Sequence, residues 1–361
     1  MKKIRVLVVD DSVVIRRLLT DILGQDPEIE LAGTAPNGRI ALAKLPQVNP
    51  DIVTLDIEMP ELDGLGTLPA IRKAYPKLPV IMFSTLTERG AVSTLDALAL
   101  GATDYVTKPA NVGSVAAAIQ SVKDQLIPKI KAFCPSAQPA QTTSPIHPTT
   151  SSTLPRIVNR LPQRCDAIVI GSSTGGPQAL TSLLTKLPAG FPVPIVIVQH
   201  MPPVFTQHLA ARLNQLSALT VREAAGQETL EPGLVLLAPG NFHLEIQRQG
   251  VSVRSLLHQG PAENSCRPAV DVLFRSAASV FGPNCLAVVL TGMGHDGLRG
   301  AEHIVRAGGT VVAQDEASSV VWGMPRAVAT AGLAQRVLPL DSIPDELRRH
   351  AALGRRMVAT H

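Results

Sequence analysis

The stretch Ala167-Ile168-Val169-Ile170-Gly171-Ser172-Ser173-Thr174-Gly175-Gly176-Pro177 decides how the second half of the chain is read. An apolar run that breaks into small, Gly-rich residues describes a buried strand ending in a tight turn, and Pro177 suits the first turn of the amphipathic helix that follows. Gly171, Ser173 and Gly175 satisfy G-x-S-x-G in this strand–turn–helix context, where a sharp bend holds a serine hydroxyl exposed at a helix N-terminus. The alternative is a phosphate-binding loop, because N–H groups at a helix start attract anions. Against that alternative, the Walker lysine is missing and the glycine spacing does not fit G-x-G-x-x-G. Partners for the serine decide between the two.

Further strands are expected at Pro194 to Val198, Leu234 to Ala238, Leu286 to Leu290 and Thr310 to Ala313, so Ala167 opens a doubly wound α/β domain. Residues 242 to 257 read instead as an antiparallel excursion. Ligands of such sheets gather at the C-terminal strand ends. His200 stands two residues past one strand and Asp296 lies past another, so with Ser173 they can form a nucleophile, a base and an acid that orients the base. His295 competes for the base role, but adjacent residues usually point apart, so a single loop seldom supplies both base and orienter. His208, His243, His258 and His303 are read as bystanders. Backbone N–H groups near Thr174 and Met293 are candidate oxyanion donors. The spacing Gly292-x-Gly294-x-x-Gly297, with Asp315 after the next strand, formally satisfies a dinucleotide fingerprint and would suit an oxidoreductase. It falls too late in the domain for a second nucleotide-binding half and leaves the Ser173 turn unexplained.

Residues 4 to about 125 form another βα repeat. Strands are expected at Ile4 to Val9, Ile52 to Leu55, Val80 to Phe83 and Tyr105 to Thr107, with a weaker one at Ile29 to Ala32, and helices at Val13 to Leu23 and Ala91 to Leu100. Asp10 and Asp11 follow the first strand, Asp56 the third, Ser84 the fourth and Lys108-Pro109 the fifth. Three carboxylates gathered on one sheet edge repel one another and call for a hard cation such as Mg²⁺. Asp56 then reads as an acyl-phosphate acceptor, with the Lys108 ammonium and the Ser84 hydroxyl available to phosphate oxygens. From about Cys134 to Leu161 the chain is rich in Pro, Ser, Thr and Gln, the composition of a flexible linker, and the helix from Ser114 to Lys131 borders it.

Composition removes several classes of function. Mean hydropathy is +0.20, yet no apolar run approaches the roughly 20 residues that span a bilayer, and Asp10-Asp11 cuts the N-terminal apolar run short of a secretory signal. The expectation is a cytoplasmic protein without membrane insertion. The four cysteines form no C-x-x-C pair and read as free thiols. A net charge of +4 is spread along the chain, which gives no stripe for nucleic acid. A DNA-binding regulator would carry a small helical output module, and here the output is α/β.

The motifs Val8-Val9-Asp10-Asp11-Ser12, Leu55-Asp56-Ile57-Glu58-Met59-Pro60, Asp63-Gly64 and Val106-Thr107-Lys108-Pro109 resemble the receiver domain of two-component response regulators. That resemblance implies phosphorylation of Asp56 by a histidine kinase and a cis peptide before Pro109. Gly171 to Gly176, Gln199-His200-Met201-Pro202, Ala238-Pro239-Gly240, Arg267-Pro268-Ala269-Val270-Asp271, Leu290 to Gly297 and Gly323-Met324-Pro325 are similar to the CheB family of chemotaxis protein-glutamate methylesterases, and the likeness runs from residue 4 to about 335. It implies Ser173 as nucleophile, His200 as base and Asp296 as orienting acid. The substrates it implies are methylated glutamates of chemoreceptors, with deamidation of receptor glutamines alongside. Ser172 and His295 fall at positions that vary in the family, and Cys266 stands where a histidine is common. None of the three is expected to touch the triad. The expected architecture is thus two doubly wound parallel-sheet α/β domains. A flavodoxin-like receiver occupies 1–125, a helix end and flexible linker 126–163, and a Rossmann-like three-layer esterase 164–350. Mg²⁺ at Asp10, Asp11 and Asp56 would serve phosphorylation, no cofactor is expected for ester hydrolysis, and the protein is expected to be a monomer.

Overall fold

The computed structural model describes residues 2–109, 115–134 and 164–355. The linker expected between the two halves lies outside these residues. The chain divides into two units, one within residues 1–151 and one within 152–361.

In the first unit strands and helices alternate strictly: β1 (Ile4–Val9), α1 (Val13–Gly24), β2 (Ile29–Ala35), α2 (Gly38–Val48), β3 (Ile52–Asp56), α3 (Gly64–Ala74), β4 (Val80–Ser84), α4 (Glu88–Ala99), β5 (Asp104–Thr107) and α5 (Val115–Phe133). All strand pairs are parallel, in the order β2-β1-β3-β4-β5. Strands buried on both faces can be almost wholly apolar, and Val6, Leu7 and Val8 of β1 are completely enclosed. Ser12, Asn37, Asp63 and Thr87 cap the first four helices, each side chain accepting from an N–H of the first turn. Helix α5 continues well past residue 125, because Leu126 and Ile130 bury themselves in the same core as Leu19 and Ile22 of α1. Each such side chain contributes roughly 1.5–3 kcal/mol on burial. The chain steps from β1 outward to β2 and then crosses to β3, which leaves a crevice at the C-terminal ends of β1 and β3.

The second unit runs β6 (Ala167–Ser172), α6 (Gly176–Leu184), β7 (Ile195–Gln199), α7 (Phe205–Leu216), β8 (Thr220–Glu223), β9 (Leu234–Leu237), β10 (His243–Gln249), β11 (Ser252–His258), α8 (Val270–Phe281), β12 (Cys285–Val289), α9 (Leu298–Arg306), β13 (Thr310–Gln314), α10 (Met324–Thr330), β14 (Arg336–Leu338) and α11 (Ile343–Arg355). Seven strands make one parallel sheet ordered β14-β13-β12-β6-β7-β9-β8. From β6 the chain moves to β7 on one side and later to β12 on the other, so the crevice of this sheet opens beside the C-terminal end of β6. The expected antiparallel excursion is the hairpin β10–β11, in register from His243↔His258 to Gln249↔Ser252. Its Leu244 and Ile246 pack with Leu273, Phe274 and Ala277 of α8. Two strands were not anticipated, β8 and β14. Both are short edge strands with little buried apolar content, which removes the signal that marks a central strand.

Candidate functional site

At the crevice of the first sheet, Asp10 follows β1 and Asp56 ends β3, both buried, while Asp11 is exposed. One carboxylate oxygen from each lies within 4.8 Å of the others. Lys108 Nζ sits 2.8 Å from Asp56 Oδ2 and 3.0 Å from Asp10 Oδ2. Burial pushes Asp56 up to about 6 despite the hydrogen bond from Lys108, and it raises Asp10 as well. Lys108 is itself raised: burial works against its charge, but the hydrogen bond and the charge of Asp56, with Asp10 behind them, outweigh that. One ammonium cannot neutralise three carboxylates, so the residues present fit a divalent cation bound through oxygen. At Gly64 a Cβ would lie 2.3 Å from the Asp56 carbonyl oxygen, so only glycine lets the turn after β3 fold back onto Asp56.

Ser84 lines the same cavity of about 260 Å³, with Asp11, Asp56, Thr85 and Lys108. Its hydroxyl donates to Gly90 O at 3.1 Å and accepts from Thr94 Oγ1 at 2.8 Å, so it must rotate to meet a phosphoryl group. The cis peptide expected before Pro109 is not present. Among the described residues the cis bond is Arg267–Pro268. Lys108 is aimed instead by its own N–H, which donates to Ser84 O at 2.6 Å and extends the β4–β5 pairing past the end of β5.

The second crevice brings Ser173, His200 and Asp296 to the ends of β6, β7 and β12. Ser173 leads into α6, with Gly175 at φ 76° immediately before the helix. Its N–H donates to Thr291 O at 3.1 Å, and its carbonyl accepts from Gln199 Nε2 at 2.9 Å. A Cβ on Gly292 would lie 2.9 Å from Ser173 Cβ and 2.4 Å from Met324 Sδ, so the loop after β12 presses directly on the serine. That close packing also disposes of the dinucleotide fingerprint, since Gly292 faces Ser173 and Met324 and leaves no space for a pyrophosphate. The amides of Thr174 and Met293 donate to no protein acceptor among the described residues, whereas the Thr174 carbonyl is taken by Thr291 Oγ1 at 2.9 Å.

His200 Nε2 lies 2.8 Å from Asp296 Oδ2. Asp296, 2% exposed, also accepts from the Val270 and Asp271 N–H groups at the start of α8, from Gly297 N–H and from Asn264 Nδ2. Burial disfavours the Asp296 charge, but the His200 hydrogen bond and charge, together with these amides, hold the carboxyl below its ordinary range. For His200 burial likewise opposes the charge, and the bond to Asp296 outweighs it, raising the imidazole above the usual histidine value. His295 is exposed, leaving His200 as the imidazole paired with the acid.

One expectation is corrected here. Cys266 does touch the triad: its Sγ lies 3.6 Å from His200 Nδ1, the nitrogen left over once Nε2 is bound to Asp296. No hydrogen bond joins Ser173 Oγ to His200 among the described residues, and the thiol occupies that side of the ring. Sequence reasoning also passed over Gln199, whose Oε1 accepts from Ser172 Oγ at 2.7 Å beneath the serine turn, and Gln314, whose Oε1 accepts from Thr291 N–H at 2.8 Å. A polar residue at the end of an otherwise apolar strand was the available signal for both. All four cysteines are free.

Fold and sites together describe a response-regulator type of α/β protein whose second unit carries a serine turn, a histidine and an aspartate past neighbouring strand ends of one parallel sheet. A response regulator receiver domain model matches residues 6–120 and a CheB methylesterase model matches residues 168–347. A protein-glutamate methylesterase/protein-glutamine glutaminase of Trichodesmium erythraeum is 53% identical over 97% of this chain and 99% of its own length. The same name is carried by a Nocardioides relative that is 55% identical over 98% of this chain and 97% of its own length. The crystal structure of the Thermotoga maritima CheB methylesterase catalytic domain shares 47% identity and a TM-score of 0.51, covering 51% of this chain and 98% of that one. The chain belongs to the CheB methylesterase family, with an N-terminal receiver domain.

Proposed function

We propose that this protein is a phosphorylation-controlled serine esterase acting in chemotaxis adaptation, which removes methyl groups from methylated glutamates of chemoreceptors and deamidates receptor glutamines. The observation that carries the reading is the His200 Nε2–Asp296 Oδ2 pair at 2.8 Å, its acid buried, placed where the loop after β12 packs on Ser173. Ser173 Oγ attacks the γ-carbonyl carbon of the methyl ester while His200 takes the hydroxyl proton on Nδ1, its Nε2–H being held by Asp296. The tetrahedral oxyanion is met by the Thr174 and Met293 N–H groups, each able to contribute about 3 kcal/mol. Methanol leaves with the proton from His200, and water then hydrolyses the acyl-enzyme to free glutamate. With glutamine the leaving group is ammonia and the remaining steps are unchanged.

In the receiver, an Asp56 carboxylate oxygen takes the phosphoryl group from a chemotaxis histidine kinase, with Lys108 and a rotated Ser84 meeting its oxygens. Asp10, Asp11 and Asp56 would hold Mg²⁺, which when bound screens the charge of the incoming phosphoryl group. The unphosphorylated receiver limits access to the esterase, and phosphorylation shifts the population toward an accessible state. The setting proposed is the cytoplasm, and the protein is proposed to act as a monomer without nucleic acid. No helix among the described residues is long and apolar enough to cross a membrane. Replacing Ser173 with Ala should abolish methanol release from methylated receptor membranes while the protein stays folded. Turnover retained by the variant would remove the esterase assignment of Ser173.

A further inference from the structure

Two buried carboxylates stand side by side behind His200. Asp271, in the first turn of α8, is 1% exposed, and Asp296 is 2% exposed. Like charges buried around one side chain oppose each other's ionisation unless donors favour both. A proton on Asp296 Oδ2 would remove the acceptor that holds His200. One side chain bridges the two acids: Asn264 Nδ2 lies 2.8 Å from Asp271 Oδ2 and 2.8 Å from Asp296 Oδ1, so its two N–H bonds go one to each.

The geometry of the surrounding turn preserves this bridge. Asn264 adopts φ 53°, a left-handed conformation that asparagine tolerates better than most residues. Reciprocal backbone bonds between Glu263 and Cys266, at 3.1 and 2.9 Å, close the turn, and Arg275 of α8 grips Glu263 at 2.6 and 2.8 Å. The charged and titratable groups facing the two acids are therefore His200 from beyond β7, Glu263 and Cys266 from the turn, and Arg275 from α8. His243 and Glu245 of β10 lie beyond Glu263 and Arg275, and α9 contributes the Gly300 amide, 2.6 Å from Asp271 Oδ1.

We propose that Asn264 is a positioning residue for ester hydrolysis, keeping Asp271 and Asp296 ionised together so that Asp296 remains a carboxylate beneath His200. The inference rests on the triad reading above. With its donors gone, the two acids and His200 together take up a proton at a higher pH, and activity is lost earlier on acidification. Asn264→Ala in the full chain should move the acid limb of the kcat/KM profile for methanol release upward by about one pH unit, with KM little changed. Asn264→Asp, which is nearly isosteric and guards against a simple loss of folding, should move it further by adding a third carboxylate.

A second readout is independent of turnover. In a Ser173→Ala background, the downfield imidazole N–H resonance of His200 should disappear at higher pH when Asn264→Ala is added. An acid limb and a resonance unmoved in both Asn264 variants, or a drop in rate that is uniform across pH, would overturn the proposal. If Ser173→Ala alone retained turnover, the esterase reading would fail, and the resonance would still report on Asn264.

Discussion

At the scale of the residue, His200 is the pivot, because its two nitrogens have different fates. Nε2 is committed to Asp296, and in the proposed mechanism Nδ1 is the position to which Ser173 delivers its proton, yet Cys266 Sγ stands 3.6 Å from it. A group attached to that sulfur would obstruct the transfer. The other thiols are poorly disposed to react: burial pushes Cys134 up to about 11 and Cys165 up to about 12, and it raises Cys285 further still. Treatment with iodoacetamide should therefore inactivate the esterase through Cys266, and Cys266→Ala should make it resistant. Equal sensitivity of the two proteins, followed by methanol release, would contradict this placement. The placement of Ser173, His200 and Asp296 past neighbouring strand ends was legible in the sequence because each follows a recognisable apolar strand. The nitrogen that each neighbour occupies was not legible. It depends on the tertiary position of the 263–266 turn, which brings Asn264 and Cys266 in from outside every strand end.

At the scale of the element, the loop between β12 and α9 controls the serine. Gly292 has no room for a side chain, since a Cβ would meet Met324 Sδ at 2.4 Å and Ser173 Cβ at 2.9 Å. Gly292→Ala should cost about 1–3 kcal/mol in stability, the usual range for overpacking. It should also cut methanol release at least tenfold by displacing Ser173, roughly the effect of 1.4 kcal/mol on a barrier. Urea unfolding and turnover on the same preparation check both, and wild-type turnover in a folded variant would contradict the close packing. Central strands were read from sequence to within a residue or two, because burial on both faces leaves an uninterrupted apolar run. The edge strand β8 offers one buried residue, Val221, and β14 offers none, so neither carried a pattern to read. The hairpin β10–β11 falls on the antiparallel excursion read over residues 242 to 257.

At the scale of the whole molecule, two sheets of the same parallel design place their chemistry at equivalent points, where strand order reverses. In the first, burial leaves Asp56 at about 6, an acid whose charge costs the fold and which a divalent cation would stabilise. In the second, Asp296 is held charged by four N–H partners besides His200. The first site is thus unsettled without added charge, whereas the acid of the second is held ionised in advance, which suits a switch joined to a catalyst. The most direct measurement is methanol release from methylated receptor membranes by the full chain, with and without a small acyl-phosphate donor and Mg²⁺, for the wild type and for Asp56→Ala. The account expects the donor to stimulate the wild type and Asp56→Ala to keep its basal rate without responding. An undiminished response in Asp56→Ala would contradict it.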